Sequence, residues 1–333
     1  MKPDPSDPFR ERSPRVLRRV FRVLGCALRV RADDARLMAL AEAGLVTAER
    51  GGRSRVRRRF DLTLRLASDA GPLPRGGPPP VRMSSGDGWL CGIFDPANYV
   101  LVNARQRRAL VSVSAAMLRF PYHVRYEMIE FATFTLLARG AGLVPLHAAC
   151  IGVGARGVLL LGDSGAGKST LCGEALRAGW HFLSEDSVFV TPQGLDAFGI
   201  ANFLHLRHDS PHLRRSGALA RRARASPEIR RRSGVRKLEV DLRKLKLPPA
   251  PGGLRLAAIV VLRRARAAGG TPLVALGRAA TRRLLTRSQP YATRAPQWRH
   301  FLQRAGRLTA FELRRTAPEA ALAALRPLLN TRR

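Results

Sequence analysis

The chain reads Gly162-Asp163-Ser164-Gly165-Ala166-Gly167-Lys168-Ser169-Thr170 directly after the apolar run Val158-Leu159-Leu160-Leu161. The segment matches the pattern GxxxxGK followed by Ser or Thr, placed between a buried strand and a helix, which is typical of a phosphate-binding loop. Its three glycines allow a tight turn, so that successive backbone N–H groups can point at one polyphosphate. We therefore predict that residues 162–170 bind a nucleoside triphosphate. The alternative is a glycine-rich turn that only connects a strand to a helix.

Two side chains of this loop carry the expected chemistry. Lys168 would bring a positive charge to the β- and γ-phosphate oxygens, and the Ser169 hydroxyl would contribute one oxygen to Mg²⁺. The helix that follows would add the positive end of its dipole. The expected cofactors are ATP and Mg²⁺.

Two adjacent acidic residues, Glu185 and Asp186, interrupt a second strand-like run at 181–190, and Asp186 lies 17 residues after Ser169. If this run and the strand before the loop are parallel neighbours joined by one helix, the pair lies near the loop at the carboxyl ends of the strands. One carboxylate there, assigned to Glu185, can hold Mg²⁺, and the other, Asp186, can accept a proton from an attacking hydroxyl. The alternative is that both acids lie on a solvated turn.

A single histidine, His147, lies in the apolar segment 146–153 that precedes the loop strand. A hairpin made of this segment and residues 157–161 would present His147 beside the nucleotide. The alternative is a histidine that is satisfied inside the core.

These elements together resemble the HPr kinase/phosphorylase family and its HPr-kinase-like relatives. The resemblance runs from about residue 144 to 190 and rests on Leu146-His147-Ala148, on the loop at 162–169 and on the segment Gly179-Trp180-His181-Phe182-Leu183-Ser184-Glu185-Asp186-Ser187-Val188. In that family a histidine precedes the loop lysine by 21 residues, and His147 lies 21 residues before Lys168.

The resemblance implies an α/β fold with a P-loop nucleotide-binding domain of the HPr kinase type, preceded by a smaller α+β region. It also implies that Asp186 takes the proton of a substrate hydroxyl, Lys168 steadies the transferred phosphoryl group, Ser169 binds Mg²⁺ and His147 supports the site. The expected activity is ATP-dependent transfer of the γ-phosphoryl group to a serine of a protein or peptide.

The sequence also departs from the family's pattern. Where the family has an Arg-Gly-Leu-Gly core and a nearby Mg²⁺-binding Glu, residues 195–202 have neither, and Thr170 stands where an acidic residue is usual. We therefore expect a kinase-like relative and not an HPr kinase proper; kinase activity is expected before phosphorylase activity, and whether phosphorolysis occurs is left open. The alternatives are a nucleotide-binding regulatory or scaffold protein without catalysis, which the missing Glu favours, and a nucleic-acid-associated ATPase.

The charge of the chain is strongly positive, with 59 basic and 24 acidic residues and a net charge of +35, concentrated at 53–59 and 214–246. Aromatic residues make up only 6% of the chain, which argues against a stacking platform for single-stranded nucleic acid. Specific nucleic-acid binding is therefore not expected, and the arginine excess could equally reflect genomic composition. A homo-oligomer is left open.

Four scattered cysteines predict neither a disulfide framework nor a zinc site. No apolar run approaches about 18 residues, the length of a transmembrane helix. The first residues lack the apolar core of a signal peptide. The expected location is the cytoplasm.

Three regions are expected: a basic helical N-terminal region at 1–55 that is partly disordered, a small mixed β/α region at 56–142, and the nucleotide-binding domain at 143–333. The third includes an arginine-rich insert at 205–236, which we interpret as a long loop or a mobile helical insert that could cover the substrate, with His205, His208 and His212 solvated. Helices are predicted at 16–24, 35–43, from 121 to 140 and from a Thr316 cap to about 325. Strands are predicted at 60–66, 90–94, 99–102, 109–113, 256–262 and 308–313.

Overall fold

The computed structural model describes residues 16–45, 58–67, 77–245, 247, 252–266 and 272–330. These residues divide into two compact units, one ending at Ala141 and the other beginning at Gly142. Each unit combines sheets with helices, so the prediction of a mixed α/β chain is confirmed. The disorder predicted at the start of the chain and most of the basic cluster at 53–59 lie outside the described residues.

The first unit is built on a seven-stranded mixed sheet in the order β1-β2-β3-β7-β6-β5-β4. Its strands are β1 (Leu17–Val23), β2 (Cys26–Ala32), β3 (Arg59–Ala67), β4 (Arg82–Gly86), β5 (Trp89–Ile93), β6 (Tyr99–Asn103) and β7 (Arg108–Ser114). The β2-β3 and β3-β7 pairs are parallel, and the other pairs are antiparallel. The predicted strands at 60–66, 90–94, 99–102 and 109–113 are confirmed by β3, β5, β6 and β7.

The helix predicted at 16–24 is wrong, because this segment is strand β1. Leu24 and Gly25 both have positive φ, 52° and 71°, and they form the two-residue turn that leads into β2. Such turns match the twist of a hairpin. The pairing with β2 therefore overrides the helical pattern of apolar residues, and the described part of region 1–55 joins the same sheet as β3.

Helix α1 (Ala35–Leu45) and a long helical segment pack on one face of this sheet. The long segment consists of α2 (Pro121–His123), a π-helical stretch at Val124–Glu130 and α3 (Phe131–Ala141). Two glycines, Gly44 and Gly140, lie inside helices α1 and α3. A Cβ atom would come within 2.8 Å of Glu130 Oε1 at Gly44 and within 2.3 Å of the Phe60 ring at Gly140, so these glycines serve close packing.

The second unit contains a nine-stranded sheet. The strands β11-β9-β10-β17-β13-β12-β8 follow one another, β19 pairs with β17, and β18 pairs with β19. They are β8 (Val144–Leu146), β9 (Ala149–Val153), β10 (Arg156–Leu161), β11 (His181–Ser184), β12 (Val188–Val190), β13 (Asp196–Phe198), β17 (Leu254–Arg266), β18 (Leu273–Leu276) and β19 (Thr309–Arg315). The strands predicted at 256–262 and 308–313 are thereby confirmed.

Helices cover both faces of this sheet, because β10 sends alternate residues to opposite sides. Val158 and Leu160 belong to a core with α4 (Lys168–Arg177) and α8 (Pro318–Leu325). Leu159 and Leu161 belong to a second core with α6 (Arg278–Ser288) and α7 (Trp298–Ala305). Burial of each such side chain stabilises the fold by roughly 1.5–3 kcal/mol. Helix α8 begins at Pro318 with Ala317 as its N-cap, so the predicted Thr316 cap is wrong.

The prediction of a long loop at 205–236 is wrong, because the segment contains strands and a helix. It folds as part of a three-stranded antiparallel sheet, β14-β16-β15, formed by β14 (Phe203–Leu206), β15 (Glu228–Arg230) and β16 (Arg236–Asp241), together with α5 (Ala218–Arg224). Despite its many arginines, the segment buries enough apolar residues to form a core. They are Leu204, Leu206, Ala220, Ala223, Ile229, Leu238 and Val240.

Candidate functional site

The loop predicted to bind phosphate connects β10 directly to α4. Gly162, Gly165 and Gly167 have φ values of 150°, 79° and 103°, which L-residues with a side chain rarely adopt. Gly167 caps α4, and its carbonyl accepts the first helical bond, from the Leu171 N–H at 2.9 Å. The tip of the loop at 163–165 is exposed. The turn therefore has the backbone freedom and the helix N-terminus that an anion site requires.

Lys168 is buried within this loop, and its Nζ donates to the Gly162 carbonyl. Burial lowers the pKa of the ammonium group, while the nearby Asp186, Asp163 and Glu185 act in the opposite direction. The lysine charge is thus held at the start of α4 in a partly desolvated environment, where an incoming anion would interact with it strongly.

The acidic pair lies on a turn between β11 and β12, and the predicted single strand at 181–190 is divided there. The Ser184 hydroxyl accepts hydrogen bonds from the backbone N–H groups of Asp186 and Ser187, at 3.4 and 3.2 Å. Strand β11 pairs with β9, so it is not the direct neighbour of β10 as expected. The pair nevertheless lies within electrostatic reach of Lys168.

Asp186 lies between two cationic or potentially cationic side chains. Its Oδ1 lies 3.1 Å from His147 Nδ1, and its Oδ2 accepts a 3.0 Å bond from Arg231 Nη1. Burial alone would raise the pKa of this carboxyl group, but His147 and Arg231 outweigh burial and hold the pKa well below its usual range. Asp186 is therefore an ionised, oriented carboxylate at neutral pH.

His147 is exposed, and its position depends on a break in the expected strand between β8 and β9. The Gln289 side chain accepts a 2.7 Å bond from the His147 N–H and donates a 3.1 Å bond to the His147 carbonyl. Gln289 follows α6 and is almost fully buried. It takes the place of a strand partner for His147, and no sequence motif pointed to it.

Glu185 lies in a buried cluster with His205 and Glu239. Its Oε1 accepts bonds from His205 Nδ1, at 2.6 Å, and from the His205 backbone N–H, at 2.8 Å, while His205 Nε2 lies 3.2 Å from Glu239 Oε1. Burial lowers the pKa of His205, but the two carboxylates raise it overall. The interpretations of Glu185 as part of a solvated turn and of His205 as a solvated loop residue are therefore both wrong.

A second histidine from the misjudged insert contacts the first turn of α4. His212 is buried, and its Nε2 donates a 2.7 Å bond to the Thr170 carbonyl. The ring packs on Gly173, where a Cβ atom would lie 2.6 Å from His212 Nε2. The helix that begins at Lys168 is thus anchored by a residue more than 30 positions away, whereas His208 is exposed as expected.

Gly173→Ala tests this contact. Alanine normally stabilises the middle of a helix by about 1 kcal/mol relative to glycine. Here we expect a net loss of about 1–3 kcal/mol in the free energy of unfolding, because the methyl group overpacks against His212. Chemical denaturation measures the loss, and the Gly173→Ala/His212→Ala double variant should be more stable than the sum of the single changes predicts. A stabilised single variant would contradict the packing described here.

Two further basic residues come close to the site without having been predicted. Lys237, on β16, has a pKa lowered by burial and by Arg231, while Glu185 and Asp186 act in the opposite direction. Arg264, at the end of β17, donates to the Ser164 carbonyl in the loop at 2.5 Å. Both residues come from the carboxyl half of the chain, far in sequence from the loop.

The residues around the loop fit Mg²⁺ in part. Glu185 Oε2 is buried and has no hydrogen-bond partner in the described part of the chain, so one carboxylate oxygen remains for a cation. Ser169 is half-buried on the first turn of α4. The described residues contain no group of three or more His, Cys, Asp or Glu arranged around a metal ion.

Comparison with known protein families and with curated proteins finds no match. Among solved structures, the chain is similar to the Hpr(Ser) kinase/phosphatase from Coxiella burnetii. The identity is 9%, the TM-score is 0.29, and the match covers 55% of this chain and 88% of the other. No helix in the described ranges is long and apolar enough to span a membrane.

Proposed function

We propose that this chain is a serine kinase that transfers the γ-phosphoryl group of ATP to a hydroxyl group of a protein or peptide. The observation that carries the proposal is the Asp186 carboxylate, held between His147 and Arg231 and within electrostatic reach of Lys168. A loop with a buried lysine binds a polyphosphate, and an oriented carboxylate beside it gives an acceptor hydroxyl a base. We place the protein in the cytoplasm, because its four cysteines form no disulfide in the structure, which agrees with a reducing compartment.

The chemistry is divided among the residues of the site. The acceptor oxygen forms a bond to the γ-phosphorus, the bond from phosphorus to the leaving oxygen of ADP breaks, and the hydroxyl proton passes to Asp186. Lys168 and Arg231 offset the negative charge of the transferred group, and His147 orients Asp186. Ser169 and Glu185 would hold Mg²⁺, which when bound neutralises charge on the phosphate oxygens.

One observation favours the second candidate, a nucleotide-binding scaffold without catalysis. The Arg231–Asp186 ion pair occupies the carboxylate that would have to meet the acceptor hydroxyl, and it lowers the basicity of that carboxylate. For transfer, Arg231 has to turn toward the phosphate and release one oxygen of Asp186. Binding of a polyphosphate would favour this exchange, because it offers the guanidinium group a stronger anion.

The decisive experiment adds the chain and γ-labelled ATP to a protein extract of the cells it comes from and searches for labelled phosphoserine. A Lys168→Met variant serves as the inactive control. Label that depends on Lys168 supports the kinase. ATP binding by calorimetry without any transfer would support the scaffold instead.

His205 should set the requirement for Mg²⁺, because its two bonds to Glu185 Oε1 leave Oε2 unpaired. We expect His205→Ala to raise the Mg²⁺ concentration needed for half-maximal ATP binding by about tenfold. His205→Asn keeps a side-chain donor, so its Mg²⁺ requirement should lie between those of the unaltered chain and of His205→Ala. His208→Ala replaces an exposed histidine that pairs with Glu228 and should have no effect. Equal Mg²⁺ requirements in folded variants, checked by circular dichroism, would remove Glu185 from the metal site.

A further inference from the structure

Among the described residues, α1 and α3 pack on one face of the seven-stranded sheet in the first unit, whereas on the other face only the end of β7 is covered, where Ser112 and Ser114 are buried against residues 97, 98 and 117. We name this other face the open face. Along β2, β3, β7 and β6, the residues of the open face alternate with residues that point into the core. Val30, Leu62 and Val111 are examples of these core residues, and all three are fully buried. Helices α1 and α3 contact these same strands.

The open face combines a basic region with an apolar region. Its arginines, all exposed or half-buried, are Arg18, Arg22, Arg29, Arg31, Arg59, Arg65, Arg82 and Arg108. Its apolar side chains, also exposed or half-buried, are Val20, Trp89, Cys91, Ile93, Tyr99, Leu101 and Leu110. Most of the arginines lie on β1, β2 and β3, and most of the apolar residues lie on β5, β6 and β7.

The charge of this face selects an anionic ligand. Among the described strand positions on the face, Asp61 is the only acid, and it already pairs with Arg29. Arg65 lies 3.9 Å from Asp33, at the end of β2. With eight arginines and one acid among its described strand positions, the face has a strong positive field, which attracts acidic groups and repels basic ones. A second copy of this chain would bring the same arginines and is therefore disfavoured.

The apolar region restricts the ligand further. Ile93 is 43% exposed and Trp89 is 38% exposed, so the face leaves apolar surface in water beside the arginines. A single-stranded nucleic acid could stack on Trp89 and Tyr99, but it would leave the aliphatic Ile93, Leu101 and Leu110 without apolar contacts. A polypeptide with apolar residues on one side and acidic residues on the other satisfies both regions.

The chain itself supplies no such polypeptide outside the described residues. The segments at 1–15, 46–57 and 68–76 carry no net negative charge, and the last residues, Thr331-Arg332-Arg333, are basic. These segments therefore lack the excess of acidic residues that the face selects.

We propose that the open face docks an acidic amphipathic segment of the protein or peptide that carries the acceptor serine. The identity of this partner as the substrate rests on the proposed function, whereas the binding itself does not. Docking on the first unit would add specificity to a reaction whose groups belong to the second, because the partner would be recognised by the residues of the open face as well as by its serine.

Trp89 provides the measurement. The other two tryptophans, Trp180 and Trp298, are buried, so a change in emission on binding reports on the open face. The probe is a synthetic helical peptide of about five turns, roughly 18 residues, with leucines on one side and glutamates on the other. It is titrated into the full chain without ATP. We expect a blue shift that saturates at micromolar peptide and weakens with salt, and no shift with lysines in place of the glutamates.

Matched variants locate the binding. Arg65→Glu/Arg108→Glu should weaken peptide binding by about tenfold or more, while Arg283→Glu/Arg287→Glu, the same charge change on exposed positions of α6, should change it far less. Ile93→Asp should weaken peptide binding to a similar extent. Val274→Asp, at a comparably exposed residue on β18, should not weaken it. Thermal melts confirm that each variant folds.

Four outcomes would overturn the proposal. They are an unchanged Trp89 emission, equal effects of the two double arginine variants, tighter binding of a single-stranded RNA or of anionic vesicles than of the peptide at the open face, and a dimer in sedimentation that Arg65→Glu/Arg108→Glu abolishes. Because ATP is absent, peptide binding without later serine transfer would reject the kinase and keep the docking face. Serine transfer without peptide binding would reject the docking face and keep the kinase.

Discussion

Asp186→Asn is expected to bind Mg-ATP nearly as tightly as the unaltered chain and to transfer phosphate about 10²–10⁴ times more slowly. Asparagine keeps the size of the side chain, but it cannot accept a proton and offers Arg231 no negative charge. Initial rates with γ-labelled ATP and an acceptor peptide, together with calorimetry for ATP, measure the two effects. Asp209→Asn, at an exposed acid paired with Arg207, is the control and should retain full activity.

The low pKa of Asp186 does not by itself exclude this role. A base with a pKa far below 7 removes a proton weakly, but phosphoryl transfer passes through a loose transition state in which orientation of the hydroxyl matters more. Because the pKa is lowered, the carboxylate stabilises the fold at neutral pH, and that stabilisation is lost progressively as the pH falls below the ordinary Asp value of 3.8 toward the lower pKa of the folded state. Transfer should therefore show no loss from Asp186 protonation down to about pH 4, near the ordinary Asp pKa.

Two results would contradict this account of Asp186. Unchanged transfer by Asp186→Asn would exclude it as the base. Loss of ATP binding together with transfer would show that the carboxylate acts on the bound nucleotide or on the loop. Arg231→Lys separates the partner's role, since lysine keeps the charge but cannot form the planar, two-pronged contacts of a guanidinium group with phosphate.

Lys168→Met is expected to weaken ATP binding by roughly 10- to 100-fold and to abolish transfer. A hydrogen bond to a charged group contributes about 1.5–3 kcal/mol, which converts to that range of affinity. The same change should leave the thermal stability equal or raise it, because burial lowers the pKa of the lysine and its charge therefore opposes folding at neutral pH. The stability gain should shrink as the pH approaches the ordinary lysine value of 10.5, where the unfolded chain also loses the charge.

Calorimetry and thermal denaturation test these two effects separately. Lys244→Met, at an exposed position beyond β16, is the matched control and should change neither quantity. Equal ATP affinity in Lys168→Met and the unaltered chain would remove the loop at 162–170 from the nucleotide site. A strongly destabilised variant would mean that the Lys168 bond to the Gly162 carbonyl outweighs the cost of burying the charge.

The insert at 205–236 shows where interpretation of the sequence failed. Its arginines suggested a solvated lid. The segment instead contributes three hydrogen bonds to the site: His205 bonds to Glu185, His212 bonds to a carbonyl in α4, and Arg231 bonds to Asp186. Arginine-rich strands still fold when alternate positions are apolar, as Leu204, Leu206, Leu238 and Val240 are. The charge of the composition concealed that alternation.

The local pattern of the sequence determined that β10, a glycine turn and α4 follow one another, because strand burial, positive φ and helix start are set by neighbouring residues. It also determined that His147, Lys168, Glu185 and Asp186 are the residues to consider. Only the tertiary structure decided what each of them contacts. Gln289 clamps the backbone of His147 from 142 positions away, and Arg231 reaches Asp186 across 45. Contacts over such distances depend on how sheets and loops pack, and no short-range pattern in the chain encodes them.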